Sequence, residues 1–200
     1  MKSVKILIAT ALLLLPACVA AQFSQPGSET GFMLKVEAGY MPFIGHVGEA
    51  PDGGYVISQF HNAANLNVMA GANISQDWFL GGGAGFLYYH NTSQQLADPM
   101  MGVNVFADFD FRPIWKGVMG VDYQPVTIKW APEVGGRLGG SILLDGMTFS
   151  PLAEVYTGIN WYYAHGLRNM AHNWHSFYLT LGVAYMQQAV FLPVRLGWRW

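Results

Sequence analysis

Two histidines and a serine stand close together in "HNWHSF", as His172, His175 and Ser176. These are the residue types of a general base and an activated nucleophile, a pair that works only within hydrogen-bond reach. His175 and Ser176 are adjacent, and adjacent side chains of a strand point to opposite faces. His172 is four residues from Ser176 and falls in what reads as a connection. Neither pairing joins base to nucleophile. A metal site would draw on His46, His61, His90, His165, His172 or His175. His172 and His175 are three apart, which suits ligands on a helix, yet no Cys or paired acidic motif accompanies them. The glycines of "GGGAG" (Gly81–Gly85) lack the Lys and Ser/Thr that follow in a phosphate loop. They sit in a strand pattern, where glycine relieves crowding. Asp108 and Asp110 share a face as paired catalytic acids would, but Arg112 on the same face makes them an ion cluster. The expectation is no catalytic residue, no metal and no cofactor.

The elements that position these residues repeat in twos. In "VFLPVRLGWRW", Val190, Leu192, Val194, Leu196, Trp198 and Trp200 take one face; Phe191, Pro193, Arg195, Gly197 and Arg199 take the other. "FMLKVEAGYM", "NLNVMAGANI", "GVNVFADFDFR" and "FYLTLGVAYM" alternate in the same way. "WAPEVGGRLGGSILL" and "FSPLAEVYTGINWYY" do so less cleanly, and "FLGGGAGFLYYH" is weakened by its glycines. This makes eight strands of about ten residues or slightly more, longer than the five or six usual in soluble sheets and matched to tilted strands crossing a bilayer. "SQDW", "LDGMT" and "MQQA" read as short turns, whereas 42–62 and 90–100 are longer and polar. The segments 113–128 and 163–175 are also long. "GVMGVDYQPVTIK" has room for another strand pair, so ten strands is the alternative count. The fold expected is all-β: a closed antiparallel transmembrane up-and-down barrel.

Composition agrees. Of 200 residues, 52% are hydrophobic, 14% aromatic and only 11% charged. A soluble domain carries about a quarter charged residues, and no run after residue 20 is long enough for a transmembrane helix. Net charge is −2 with no basic stripe, which argues against nucleic-acid binding. Residues 1–21 read as a secretory signal: Lys2 and Lys5, the apolar core Ile6–Leu15, then small residues with cleavage after Ala21. Residues 22–200 are the barrel domain. Without Lys2 and Lys5, eight cations face twelve carboxylates, a net −4. The single cysteine, Cys18 in "LPAC", resembles a lipoprotein processing site, with a proline where a small residue is usual; lipidation stays open as an alternative.

The polar face can then be read as a set. Lys35, Arg112, Lys129, Arg137, Arg195 and Arg199 point one way together with Glu37, Asp108, Asp110, Glu133 and Glu154. A charge facing lipid costs about 2–4 kcal/mol near the midplane for Arg or Lys. Closing the barrel turns these groups inward, where eight strands leave a lumen that side chains can fill. Six cations against five carboxylates suggest a plugged lumen holding an ion network. Since the last strand closes against the first, Arg195 or Arg199 should approach Glu37 or a neighbouring carboxylate.

These features together resemble small outer-membrane barrels of the OmpA/OmpX type. "GVNVFADFDFRP" and "SFYLTLGVAYMQQ" look like porin-family barrel strands of the Bacteroidota branch. Members of this class end on an aromatic residue preceded by apolar residues at every second position, a signal read by the outer-membrane assembly machinery. Leu192, Val194, Leu196, Trp198 and Trp200 match it, with Trp in place of the commoner Phe. The resemblance implies the cell outer membrane of a Gram-negative bacterium. It implies contact with outer-membrane lipid and lipopolysaccharide, and with the assembly machinery during biogenesis, for a monomer. A structural or surface-interaction role is expected; a small-solute pore or lipid-handling barrel is the alternative. Lipid A deacylase barrels place His and Ser two apart on one face, and the adjacent His175 and Ser176 depart from that pattern.

Overall fold

The computed structural model describes residues 32–49, 55–75, 78–91, 98–112, 128–163 and 175–199, with backbone alone at 128–130, 162–163 and 175. The signal at 1–21, Cys18, Trp200, His165 and His172 lie outside the described residues.

Ten hydrogen-bonded segments follow the chain: β1 (Phe32–Met41), β2 (Phe43–His46), β3 (His61–Asn73), β4 (Trp78–Asn91), β5 (Met100–Phe111), β6 (Ile128–Leu143), β7 (Thr148–Tyr163), β8 (His175–Met186), β9 (Ala189–Phe191) and β10 (Val194–Arg199). They form eight staves, because β1 continues into β2 and β9 into β10. Each stave pairs antiparallel with its sequence neighbours, and the last closes on the first. Lys35 lies opposite Arg199, Glu37 opposite Gly197 and Gly39 opposite Arg195. β5 pairs directly with β6, Asp108 opposite Arg137, so no strand pair is inserted between them and the count is eight. Closure leaves no sheet edge to satisfy.

Two staves are broken, which alternation did not reveal. The ending is two short strands interrupted at Leu192–Pro193, and the segment 42–62 begins with the short strand β2 after Pro42. Proline cannot donate to the ladder and is tolerated where a strand bends or stops. The breaks lie side by side: Leu192 N donates to Pro42 O at 2.9 Å and Gly182 N to Pro193 O at 2.9 Å. Above them β2 and β9 pair with each other, and β9 turns back from β8 through Gln187 and Gln188. Both glutamines have positive φ, 53° and 57°, the requirement of a two-residue hairpin turn whose twist suits the strands. Gln187 is held there by its own side chain, which donates to Ser141 O and Thr148 O, while its backbone N–H donates to Ser150 Oγ.

One end of the barrel carries the 74–77 turn and the connections after β5 and β7. The opposite end carries the connections after β2 and β4 and the turns after β6 and β8. Bulky inward side chains face glycine across the ladder. Tyr156 pairs with Gly135 and Tyr178 with Gly197, and a Cβ at either glycine would collide with the partner's ring. Glycine there lets a large ring lie flat across the neighbouring strand in a narrow tube.

Candidate functional site

The described interior of the barrel is its lumen, which has two tiers. The tier nearer the 74–77 turn is ionic. Lys35 Nζ meets Asp108 Oδ2 at 2.6 Å and also pairs with Asp110. Arg112 Nε lies 2.7 Å from Asp110 Oδ1. Arg137 forks onto Glu37, at 2.5 and 2.9 Å, and reaches Asp108 Oδ1 at 3.1 Å. Arg195 lies 3.4 Å from Glu37 Oε1 and makes a two-pronged pair with Glu154. Arg199 pairs with Glu133 and stands 3.6 Å from Asp110 Oδ2. The five cations and five carboxylates are therefore one connected, formally neutral network, and all ten side chains are buried. Lys129 belongs to β6 by its backbone; its side chain is outside the described residues.

Neutral donors complete the tier. Asn67 and Tyr178 donate to Glu37, Tyr156 to Asp108, and Asn160 to Glu133. Aromatic faces lie against the cations. Arg199 sits 4.2 Å from the Tyr178 ring centre, Arg137 4.9 Å from Tyr156, and Lys35 Nζ 3.8 Å from Phe79. Each charge thus has at least one ion-pair partner, and Lys35, Arg137 and Arg199 also lie against a ring, the condition under which desolvated ions are tolerated.

The second tier, toward the opposite end, is apolar. Met41, Met69, Leu87, Tyr89, Phe106, Leu143, Leu152, Met186 and Phe191 form one buried cluster, closed by Ile57 from the 47–60 connection. Charge alternation gave no signal for this tier. Its residues are apolar on the inward face while their neighbours are apolar on the outward face, so contrast between faces vanishes. Leu87 and Tyr89, inward on β4 beyond its glycines, were the available hint.

The candidate hydrolytic residues are not assembled. Ser176 is buried, opposite Arg199 in the ladder, while His172 lies outside the described residues and only the backbone of His175 is described. The described histidines are engaged separately. His46 stacks on Tyr55 at 3.7 Å and bonds Ile57 O. His61 joins Ser58 to Asp98 O, and His90 contacts Tyr40.

The outer wall is the complement of the lumen. Leu66, Val68, Val155, Val183 and Leu196 stand exposed, as do Val194 and Trp198 of the ending, while Leu192 beside the break is half-buried. Among the described residues every charged side chain of the strands is inside. The exposed charges among the described residues are Glu49, Asp98 and Asp145, in connections at the end away from the 74–77 turn. Trp78, Trp161 and Trp198 ring the 74–77 end of the wall; Tyr40 and Tyr88 mark the other.

No family model and no curated protein matches the chain. Among solved structures it is similar to Neisserial surface protein A at 14% identity and a TM-score of 0.45, over 88% of this chain and 98% of that one. It is also similar to Ail, the attachment invasion locus protein of Yersinia pestis, at 14% identity and a TM-score of 0.34, over 84% of this chain and 98% of that one.

Proposed function

We propose that the chain is an integral outer-membrane barrel with a structural or surface-interaction role, a plugged lumen and no catalytic activity. The observation that carries this reading is the inversion of an ordinary soluble protein: ions inside, an apolar wall outside. Scattered apolar side chains on a surface are ordinary, but a continuous apolar wall is not. Its height fits a bilayer. From Trp78 to Tyr88 on β4 is about 33 Å of strand, which at a tilt of about 40° gives about 25 Å, the apolar band of outer-membrane barrels. Tryptophan and tyrosine at the two margins suit the interfaces.

The rest of the biogenesis follows the same reading. Residues 1–21 direct export, and Leu192, Val194, Leu196, Trp198 and Trp200 are the segment presented to the assembly machinery. Both termini lie in the periplasm, which places the 47–60 and 92–99 connections at the cell surface, against lipopolysaccharide and whatever they contact there. The barrel acts as a monomer. Among the described residues both tiers are filled with side chains, which supports an anchor over a pore.

Reconstitution in planar bilayers tests the lumen: silence is expected, and stable stepwise conductance would sink the plug. Incubation with lipopolysaccharide followed by mass spectrometry tests catalysis. Released acyl chains that disappear in Ser176→Ala would overturn the non-enzymatic reading.

A further inference from the structure

At the end away from the 74–77 turn, the apolar wall runs on past its tyrosine margin at one place. Ladder neighbours lead from Tyr88 at that margin through Met101 to Leu144, so the β6–β7 turn stands at or beyond it. The turn carries Met147, 74% exposed, and leads into Phe149, 68% exposed, the two highest values among the exposed large apolar side chains described. Phe149, Pro151 and Tyr185, with Val56 and Gln188, line a groove between the β6–β7 turn, the β8–β9 turn and the 47–60 connection. The loop side of the groove is tied down. Val47 N–H donates to Gln188 O at 3.0 Å. Tyr55 stacks on His46 at 3.7 Å and donates to Gly48 O at 2.7 Å. His46 Nε2 bonds Ile57 O at 2.6 Å, and Ser58 N–H donates to His61 Nδ1 at 3.1 Å. Ile57 is fully buried in the lumen, while its neighbour Val56 is half-exposed in the groove. A groove held in shape before anything binds spares the cost of ordering it.

The charge at this end has one sign. The connections 47–60, 92–99, 144–147 and 187–188 contain Glu49, Asp52, Asp98 and Asp145 and no Lys or Arg. Without residues 1–21 the chain's net −4 is therefore carried here, and its other eight carboxylates match its eight cations. Two exposed carboxylates border the groove. Glu49 stands two residues from Val47, which is bonded to Gln188, and Asp145 stands in the turn that leads to Phe149. An exposed apolar patch rimmed by polar groups marks an interaction site, and Met and aromatic side chains are enriched at interfaces. We propose that this groove is the docking site for a short cationic, amphipathic segment of a partner protein. Its apolar side chains lie against Phe149, Pro151 and Val56, and its Lys or Arg side chains meet Glu49 and Asp145. This rests on the surface-interaction reading above and gives it a partner class. The sign of the charge selects the occupant. A second copy would bring the same carboxylates to the contact, and lipopolysaccharide would bring phosphates, so like charges would meet in both cases.

The test uses the full-length mature chain folded into phosphatidylcholine vesicles. Insertion is scored first, by heat-dependent gel mobility and protease protection. The probe is the fluorescein-labelled peptide KLKLK, read by anisotropy against empty vesicles. Expected is saturable binding that weakens severalfold between about 0.05 and about 0.5 M salt, as contacts between exposed charges do. KSKSK, which lacks the apolar side chains, and ELELE, which reverses the charge, should bind at least about tenfold more weakly. Phe149→Thr keeps a strand-forming residue, and Glu49→Gln/Asp145→Asn keeps the acceptor for the Met101 N–H. Each should weaken KLKLK about tenfold. Binding that is absent, equal for KSKSK or ELELE, or unchanged in these variants overturns the proposal and leaves the membrane reading standing. So does a dimer that Phe149→Thr dissolves, which gives the groove to a second copy. So does a fall in the urea midpoint of Phe149→Arg as large as for an arginine at mid-wall, which gives the groove to acyl chains. Failure to insert at all overturns both.

Discussion

Arg137 and Glu37 are a hundred residues apart in the chain and meet across the lumen as a fork, Nη1 to Oε1 at 2.5 Å and Nη2 to Oε2 at 2.9 Å. Glu37 also receives Asn67, Tyr178 and Arg195, so one carboxylate ties four other staves to its own. Removing it leaves the buried network with one positive charge in excess, Arg137 keeping only Asp108 and Arg195 only Glu154 as close carboxylate partners. Glu37→Ala should destabilise the folded barrel by about 3–5 kcal/mol, the cost of an orphaned buried charge. The measurement is the urea midpoint for unfolding from vesicles. The double variant Glu37→Ala/Arg137→Ala should cost less than the sum of the single changes, by about 0.5–3 kcal/mol. Additive costs would mean that the pair does not act as a unit.

Tyr178 is pinned from two sides. Its hydroxyl donates to Glu37 Oε2 at 3.1 Å and its ring lies over Gly197. The ring cannot retreat without breaking the first contact. Gly197→Ala should therefore cost about 1–3 kcal/mol, as an overpacked core does. Adding Tyr178→Ala should make the second change cheaper than it is alone, since the collision is gone. An unaltered midpoint in Gly197→Ala would show that the ladder absorbs a methyl group there.

The sides that Arg195, Arg199 and Trp198 face were legible in the sequence, because a cation and an aromatic ring at alternate positions leave only one orientation that keeps ions out of lipid. The approach of Arg195 to Glu37 expected at the closing seam is present at 3.4 Å, but partners across the lumen were not legible. Which carboxylate Arg137 meets depends on the chord across a closed barrel, set by the stagger between staves and not by any spacing along the chain. Phe191 was read onto the polar face without a reason to be there. It belongs to a second, apolar tier that charge cannot reveal. The bends at Pro42 and Pro193 were hidden for another reason: alternation of side chains continues through Pro193, and only the backbone pairing stops.

The outer wall makes a separate prediction. Val68 lies midway along β3, paired with Val36 and Ala84, and is about half exposed. In a bilayer that exposure is to acyl chains. Val68→Arg should cost about 2–4 kcal/mol when unfolding is followed from vesicles, while Val68→Leu should be close to neutral. A surface arginine on a soluble barrel would shift stability by no more than about 0.5 kcal/mol, so a small effect here would count against the membrane reading.

The two tiers of the lumen predict a dissociation between stability and permeability. Phe191 is buried in the apolar tier against Tyr89 and Phe43, with ring centres 6.0 Å away in both cases. Phe191→Ala opens a cavity there and should cost about 3–5 kcal/mol. It leaves untouched the network of Arg137, Glu37, Arg195 and Glu154 below it. Planar bilayers containing this variant should therefore stay silent although the barrel is far less stable. Stepwise current from Phe191→Ala alone would mean that the ion tier does not seal, and that the apolar tier is the sole plug.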